Sequence, residues 1–134
     1  MKQAWLSDAQ LPLAREVARG LKAMGWTVGD KVNADIRVEF LRAGALPPAD
    51  FQAGDGEGSV VLVAPATTHL YLSELSLQVQ GLAVAQAPAR RINAIVVESA
   101  QTDRLALAID WFAGAAMVTG QIILLSDKPA PALL

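Results

Sequence analysis

The chain has 134 residues, 53% of them hydrophobic, and a formal net charge of −2 at pH 7. This length predicts a single domain over residues 1–134 with one apolar core. The absence of cysteine excludes disulfides, thiolate metal sites and cysteine nucleophiles, and the lack of a basic cluster argues against nucleic-acid binding. No apolar run is long enough for a bilayer and no signal peptide is recognisable, so we expect a soluble cytoplasmic protein without a membrane partner.

The first thirty residues predict strand, helix and strand. Gln3 to Ser7 is a short apolar segment, and Trp26 to Val28 begin a second strand. The helix between them has proline near its first turn and Gly25 after its last, which is the usual asymmetry of helix ends. We expect Asp8 to cap its amino terminus. The apolar face of this helix consists of Leu13, Val17, Leu21 and Met24.

The segment from residue 33 to residue 58 carries the weakest signals. Ile36, Val38 and Phe40 alternate with charged residues, which predicts a half-exposed strand at a sheet edge. Residues 44–48 and 54–58 are rich in glycine and proline and are expected to be loops. Since no Gly-Lys-Ser/Thr follows the glycines, the second loop is interpreted as a flexible acidic turn and not as a phosphate-binding loop.

A buried strand and a long helix follow. Ser59 to Ala64 form a continuous apolar run bounded by Pro65, and residues 67–87 have a helical pattern. The apolar residues of this helix surround most of its circumference, so it needs a second packing partner besides the sheet. We therefore expect a partner subunit on its outer side. The residues concerned are Leu70, Leu72, Leu75, Leu77, Val79, Leu82 and Val84.

Residues 90–125 predict a βαβ unit. Ile92 to Val97 read as a buried strand, Glu98 to Thr102 as a polar break, and Gln121 to Leu125 as a second strand. The helix between them is expected to begin near Asp103, whose charge complements the helix dipole. Its apolar residues are Leu105, Ile109, Trp111, Phe112 and Ala116. All segments together predict an α/β fold, a doubly wound, mostly parallel, Rossmann-like sheet of five or six strands that is shortened.

Three segments carry a family resemblance. Arg91 to Ile95 read Arg-Ile-Asn-Ala-Ile, Val118 to Gln121 read Val-Thr-Gly-Gln, and Ala14 to Val28 look like a first helix and second strand. Their order resembles the short-chain dehydrogenases/reductases. The resemblance implies an oxidoreductase that uses NAD or NADP and a dimer interface built by the helix at 67–87. The strand that ends in the family's Asn-Asn-Ala-Gly motif has no counterpart in the sequence, and we expect that part of the family's middle to be deleted.

The family's cofactor loop is degenerate in this chain. Its threonine corresponds to Ser7, and its three glycines correspond to Asp8, Pro12 and Ala14. The glycines let the backbone approach a pyrophosphate and turn into a helix whose N–H groups bind it. Proline has no N–H to donate, and the aspartate brings a like charge towards the phosphates. We therefore expect no dinucleotide cofactor, with NADP or NAD as the alternative.

The catalytic Tyr-x-x-x-Lys of the family is also incomplete. One alignment places Thr68 and Leu72 at these two positions, and a shifted register places Tyr71 and Leu75 there. The lysine is absent in both registers, although the family chemistry needs its ammonium to lower the pKa of the tyrosine. No catalytic residue is therefore assigned. Tyr71 and Ser73 remain the candidates if an altered acid replaces the usual one.

Three other residues carry less specific signals. His69 has no second imidazole for a metal, so no metal site is expected and we interpret it as a surface histidine at a helix start. Glu98 follows a strand and could contact a ligand or cap a helix. The segments from Ala4 to Val28 and from Ser59 to Leu75 also resemble, more loosely, Toll/interleukin-1 receptor domains. This resemblance would place Glu74 at the position of their helix-borne glutamate and imply an NAD-consuming activity.

The joint loss of the glycines and the lysine predicts a catalytically inactive relative of the short-chain dehydrogenases/reductases. We expect a binding or assembly module that forms a homodimer or hetero-oligomer through residues 67–87. The alternatives are an NAD(P)-dependent reductase with an altered cofactor site and, less favoured, the Toll-like NAD-consuming domain.

Overall fold

The computed structural model of the protein describes residues 2–8, 11–29, 34–47, 51 and 58–126, and for residues 99–101 only the backbone. The predicted acidic turn at 54–58 lies outside these residues except for Gly58. The elements in chain order are β1 Gln3–Leu6, α1 Pro12–Ala23, β2 Thr27–Val28, β3 Ile36–Phe40, β4 Gly58–Pro65, α2 His69–Gln86, β5 Arg90–Val97, a 3₁₀ helix Ser99–Arg104, α3 Leu105–Gly114 and β6 Ile122–Leu125.

The strands form one six-stranded sheet in the order β2-β1-β3-β4-β5-β6, and every pair is parallel. The predicted α/β, doubly wound architecture is therefore confirmed. The longest pairing joins β4 and β5, from Gly58 opposite Arg90 to Pro65 opposite Val97. These two strands are buried along most of their length, as their continuous apolar runs predict.

The prediction of an edge strand at Ile36 to Phe40 is wrong. β3 lies between β1 and β4 and is hydrogen-bonded to both. In the common doubly wound order, the fourth strand stands beside the first, and β3 occupies that place. Charged residues at alternate positions misled the prediction, because Arg37 and Glu39 are only partly exposed on the inner strand.

The two faces of the sheet carry different helices. α1 and α3 pack side by side on one face, where Val17 and Phe112 are buried together with strand residues such as Val38. α2 covers the other face over β4 and β5. None of the described helices is both long and apolar enough to cross a membrane.

The last βαβ unit differs from its prediction in two details. The polar break is a 3₁₀ helix that leads directly into α3, and α3 ends at Gly114, so Ala116 lies outside it. Trp111 is 55% exposed and Ile109 is fully buried. The tryptophan stands on the outer side of the helix because the helix buries only the side that faces the sheet and α1.

Hydrogen bonds between the two motif segments join the start of β5 to the loop before β6. The Asn93 side chain donates to the Val118 carbonyl and accepts from the Gln121 N–H, both at 3.0 Å. Thr119 Oγ1 accepts from the Ile92 N–H at 3.0 Å. These contacts give the Arg-Ile-Asn-Ala-Ile and Val-Thr-Gly-Gln segments a structural function that does not involve a ligand.

Candidate functional site

The turn from β1 to α1 is the first part of the candidate site. Ser7 Oγ accepts from the Phe40 N–H at 2.9 Å, so this hydroxyl ties β1 to the end of β3. Asp8 has a φ of 48°, and its carbonyl accepts from the Leu11 N–H at 2.9 Å. The helix begins with Leu11 as N-cap and Pro12 in the first turn, without a side-chain cap. The prediction that Asp8 caps α1 is therefore wrong, because the N-cap position belongs to Leu11, three residues further along the chain.

A cavity of about 360 Å³ lies beside this turn, between α1 and the carboxyl ends of β4 and β5. The described residues of its lining are mostly apolar and include one carboxylate. Parallel α/β sheets bind nucleotides at this edge. The lining consists of Pro12, Leu13, Glu16, Pro65, Val97 and Thr102. Ala14 is fully buried in the core.

A second cavity, of about 400 Å³, lies at the carboxyl ends of β4, β5 and β6 and at the start of α2. It combines hydroxyl, imidazole and carboxylate groups with an apolar floor, which is a suitable composition for a small organic ligand. Its lining consists of Ala66, Thr67, Thr68, His69, Tyr71, Leu72, Val96, Glu98 and Leu124.

Tyr71 borders the second cavity, but its side chain is buried and its hydroxyl is already used as a hydrogen-bond donor. Its side chain is 6% exposed, and its hydroxyl donates to the Ala45 carbonyl at 2.6 Å. Burial raises the pKa of the Tyr71 hydroxyl, whereas a tyrosine that acts as an acid near neutral pH needs a lowered pKa. Leu75, one turn further along the helix, is fully buried. In the register that aligns Tyr71 with the family's tyrosine, the position of the missing lysine is thus part of the core.

The remaining candidate residues lie on α2, next to its first residue, or directly after β5. Thr68 caps α2, with its Oγ1 accepting from the Tyr71 N–H at 3.1 Å. His69 is exposed at the helix start, as expected, and Ser73 and Glu74 are exposed and do not line the second cavity. Glu98 does line it, and its carboxylate accepts from the Ser126 hydroxyl at 2.9 Å. Among the residues that the structure describes, no three His, Asp or Glu side chains are grouped for a metal.

Sequence reasoning missed the contact that fixes Tyr71. Ala45 is 26 residues away in the chain and accepts the hydrogen bond with its backbone carbonyl. No pattern of side chains in the sequence therefore predicts this hydrogen bond. It also missed a polar cluster at the opposite edge of the sheet. There the Trp26 indole N–H donates to the Asp110 carboxylate, although the two residues are 84 positions apart in the sequence.

Comparison with the sequences of known families identifies the family of this chain. The family described as short chain dehydrogenase-like protein matches residues 26–125, which is most of the chain. The chain belongs to this family. No curated protein matches the sequence. The family match supports the dehydrogenase resemblance over the Toll-like one, and it covers α2 and both motif segments but begins after the degenerate turn before α1.

Three solved structures, two of them a reductase and a dehydrogenase, share the fold of this short chain dehydrogenase-like protein. FolM alternative dihydrofolate reductase 1 of Brucella suis, in complex with NADP, has 13% identity and a TM-score of 0.59, with 92% of this chain and 93% of that chain covered. The ligand-free aldohexose dehydrogenase of Thermoplasma acidophilum has 11% identity and a TM-score of 0.65, with coverages of 98% and 97%. The protein lin1944 of Listeria innocua has 12% identity and a TM-score of 0.66, with coverages of 94% and 100%.

Proposed function

We propose that this short chain dehydrogenase-like protein is a catalytically inactive member of its family that acts in the cytoplasm as a binding or assembly module. The observation that carries the proposal is the state of Tyr71. Its hydroxyl donates to a backbone carbonyl, and Leu75, which aligns with the family's lysine when Tyr71 is aligned with the tyrosine, is buried. A hydroxyl with a raised pKa is a poor proton donor to a substrate.

The cavity beside α1 supports the same proposal. A pyrophosphate needs backbone N–H donors and a positive field at the helix start. Pro12 offers no N–H in the first turn, and Glu16 adds a negative charge to the cavity lining. Coulomb repulsion between this carboxylate and two phosphate charges opposes binding of NAD or NADP. The residues present therefore do not fit a dinucleotide in the family's position.

Calorimetric titration with NADPH and NADH tests this proposal. We expect no saturable heat with either cofactor at concentrations up to about 1 mM, the weak end of the affinity scale. The Brucella suis reductase whose structure contains NADP provides the positive control. Micromolar binding of either cofactor to this chain would contradict the proposal.

An NAD(P)-dependent reductase with an altered site is the second candidate. It is favoured by the cavity of about 400 Å³ that Tyr71 borders, at the edge where such sheets bind ligands. In this alternative, Tyr71 or Ser73 replaces the usual acid. Reduction of a carbonyl compound with NADPH, lost in Tyr71→Phe and kept in Ser73→Ala, would establish Tyr71 in that function. The proposal of an inactive protein predicts no turnover in any of the three proteins.

A self-association surface on α2 forms part of the proposed function. Leu70, Leu77 and Val84 are 69%, 71% and 80% exposed and follow one another at intervals of seven residues. Side chains at this interval lie on the same side of a helix, away from the buried Leu75 and Val79. We propose that this stripe packs against the same helix of a second copy, or against an active relative of the family.

Leu77→Arg tests the stripe. A charge at its centre should convert a dimer into a monomer, because an arginine buried against leucine without a partner loses its hydration. The matched control is Leu107→Arg on the outer side of α3, where the leucine is 60% exposed. Light scattering after size-exclusion chromatography should give a dimer mass for the wild type and Leu107→Arg. A wild-type monomer, alone and with active relatives, or a dimer that survives Leu77→Arg would argue against this surface.

A further inference from the structure

A third cavity lies at the amino edge of the sheet, opposite the edge that holds the candidate site. It has a volume of about 440 Å³ and is bordered by residues that precede β1, β2 and β3 and by the last turn of α3. Neither the family's cofactor site nor the Tyr71 cavity extends to this edge. The lining consists of Lys2, Trp26, Asp35, Asp110, Ala113 and Gly114.

An ammonium group already occupies part of this cavity. Lys2 Nζ lies 3.7 Å from Asp110 Oδ1 and 5.5 Å from the centroid of the Trp26 ring. The same carboxylate oxygen accepts from Trp26 Nε1 at 2.8 Å, which fixes the indole, itself only 6% exposed. Aromatic rings attract organic ammonium ions through the cation–π interaction, and a neighbouring carboxylate adds Coulomb attraction.

The charges of the lining favour a cation over any other ligand. Asp35 and Asp110 contribute two carboxylates, and Ala113 and Gly114 belong to the carboxyl-terminal turn of α3, where the helix dipole is negative. Among the described residues of the lining, Lys2 is the one cation. Its side chain is 59% exposed, so its ammonium can move into water at a small energetic cost.

We propose that this cavity binds a small organic ammonium ion, which takes the place of the Lys2 ammonium between Asp110 and the Trp26 ring. Lys2 then acts as a tethered competitor that occupies the subsite when no ligand is present. The inference is independent of the proposed lack of catalysis, because the cavity lies at the other edge of the sheet.

Choline is the probe, and its uncharged analogue with carbon in place of nitrogen is the matched ligand control. The readout is the indole N–H resonance of Trp26 in ¹H–¹⁵N spectra, since this N–H donates to Asp110. We expect a saturable shift of this resonance with choline and no saturable shift with the analogue. The resonances of Trp5 and Trp111 should stay in place. A Trp26 resonance that does not move, or that moves equally with both compounds, overturns the proposal.

Three variants separate the cavity from general charge effects. Asp110→Asn keeps an oxygen for the Trp26 N–H but removes the charge, and it should abolish the choline shift. Lys2→Ala removes the competitor and should tighten choline binding by about two- to fivefold, the range of an exposed ion pair. Glu16→Gln removes one negative charge at the other edge of the sheet and should leave binding unchanged. Weaker or unaltered binding in Lys2→Ala would overturn the proposal.

Discussion

Replacing Asn93 by alanine should lower the free energy of unfolding by about 1–3 kcal/mol, because two partly buried hydrogen bonds are lost at once and each contributes about 0.5–1.5 kcal/mol. The Asn93 side chain is fully buried and is hydrogen-bonded to the Val118 carbonyl and the Gln121 N–H. Alanine satisfies neither group and leaves a space in the core. Urea denaturation followed by circular dichroism measures the change.

The control for this variant is another amide side chain removed from the surface. Gln80 is exposed on α2 and donates only to Ser76 of the same helix, at 3.3 Å. Gln80→Ala should change the free energy of unfolding by less than about 0.5 kcal/mol, as is usual for surface substitutions. If Asn93→Ala were as mild as Gln80→Ala, the hydrogen bonds of Asn93 would not stabilise the joint between β5 and β6.

The hydrogen bonds of Asn93 also give a structural reason for the family resemblance of the two motif segments. The two motif segments were recognisable as patterns, but their spacing of about 25 residues does not say that they touch. In the structure, the Thr119 hydroxyl accepts from the Ile92 N–H, and the Ile92 carbonyl accepts from the Gly120 N–H at 2.7 Å. The resemblance at these residues therefore reflects the joining of two strands, and it is compatible with a protein that has lost catalysis.

Local sequence patterns predicted the helices and strands well, but they predicted poorly which elements lie next to each other. Continuous apolar runs identified β4 and β5 because a central parallel strand is buried on both faces. The alternating pattern of β3 predicted an edge, but the position of a strand depends on chain connections that no local period encodes. Similarly, Asp8 has the right side chain for a cap, yet the helix begins four residues later at Pro12.

The sequence predicted which family residues are absent from the candidate site, but not which residues of this chain contact one another there. The replaced glycines and the missing lysine are visible in the sequence alone. The raised pKa of Tyr71 is not, because it depends on burial against a loop that begins after β3. Glu16 was likewise unassigned, since its place in the cavity follows from the direction in which α1 leaves the β1 turn.

Gly20→Ala should destabilise the protein because α1 and α3 approach each other at this glycine. A Cβ added to Gly20 would lie 2.6 Å from the Cβ of Ala106 on α3, far inside normal carbon contact. The matched control is Gly81→Ala on the exposed side of α2, where a Cβ would meet nothing within 4 Å. Alanine is favoured over glycine in both helices by up to about 1 kcal/mol. The difference between the two variants therefore isolates the helix contact, which should cost roughly 1–3 kcal/mol.

A double-mutant cycle identifies the atom responsible. Ala106→Gly removes the opposing methyl group and should be destabilising alone, since it adds a glycine to α3. Combined with Gly20→Ala, it removes the clash, because the single methyl group at the contact then belongs to α1 and no longer to α3. The two helices can then pack at their original distance. The two substitutions should therefore be less destabilising together than the sum of their separate effects, by about 0.5–3 kcal/mol. Additive effects in chemical denaturation would mean that α1 and α3 can separate without cost and that Gly20 does not determine their distance.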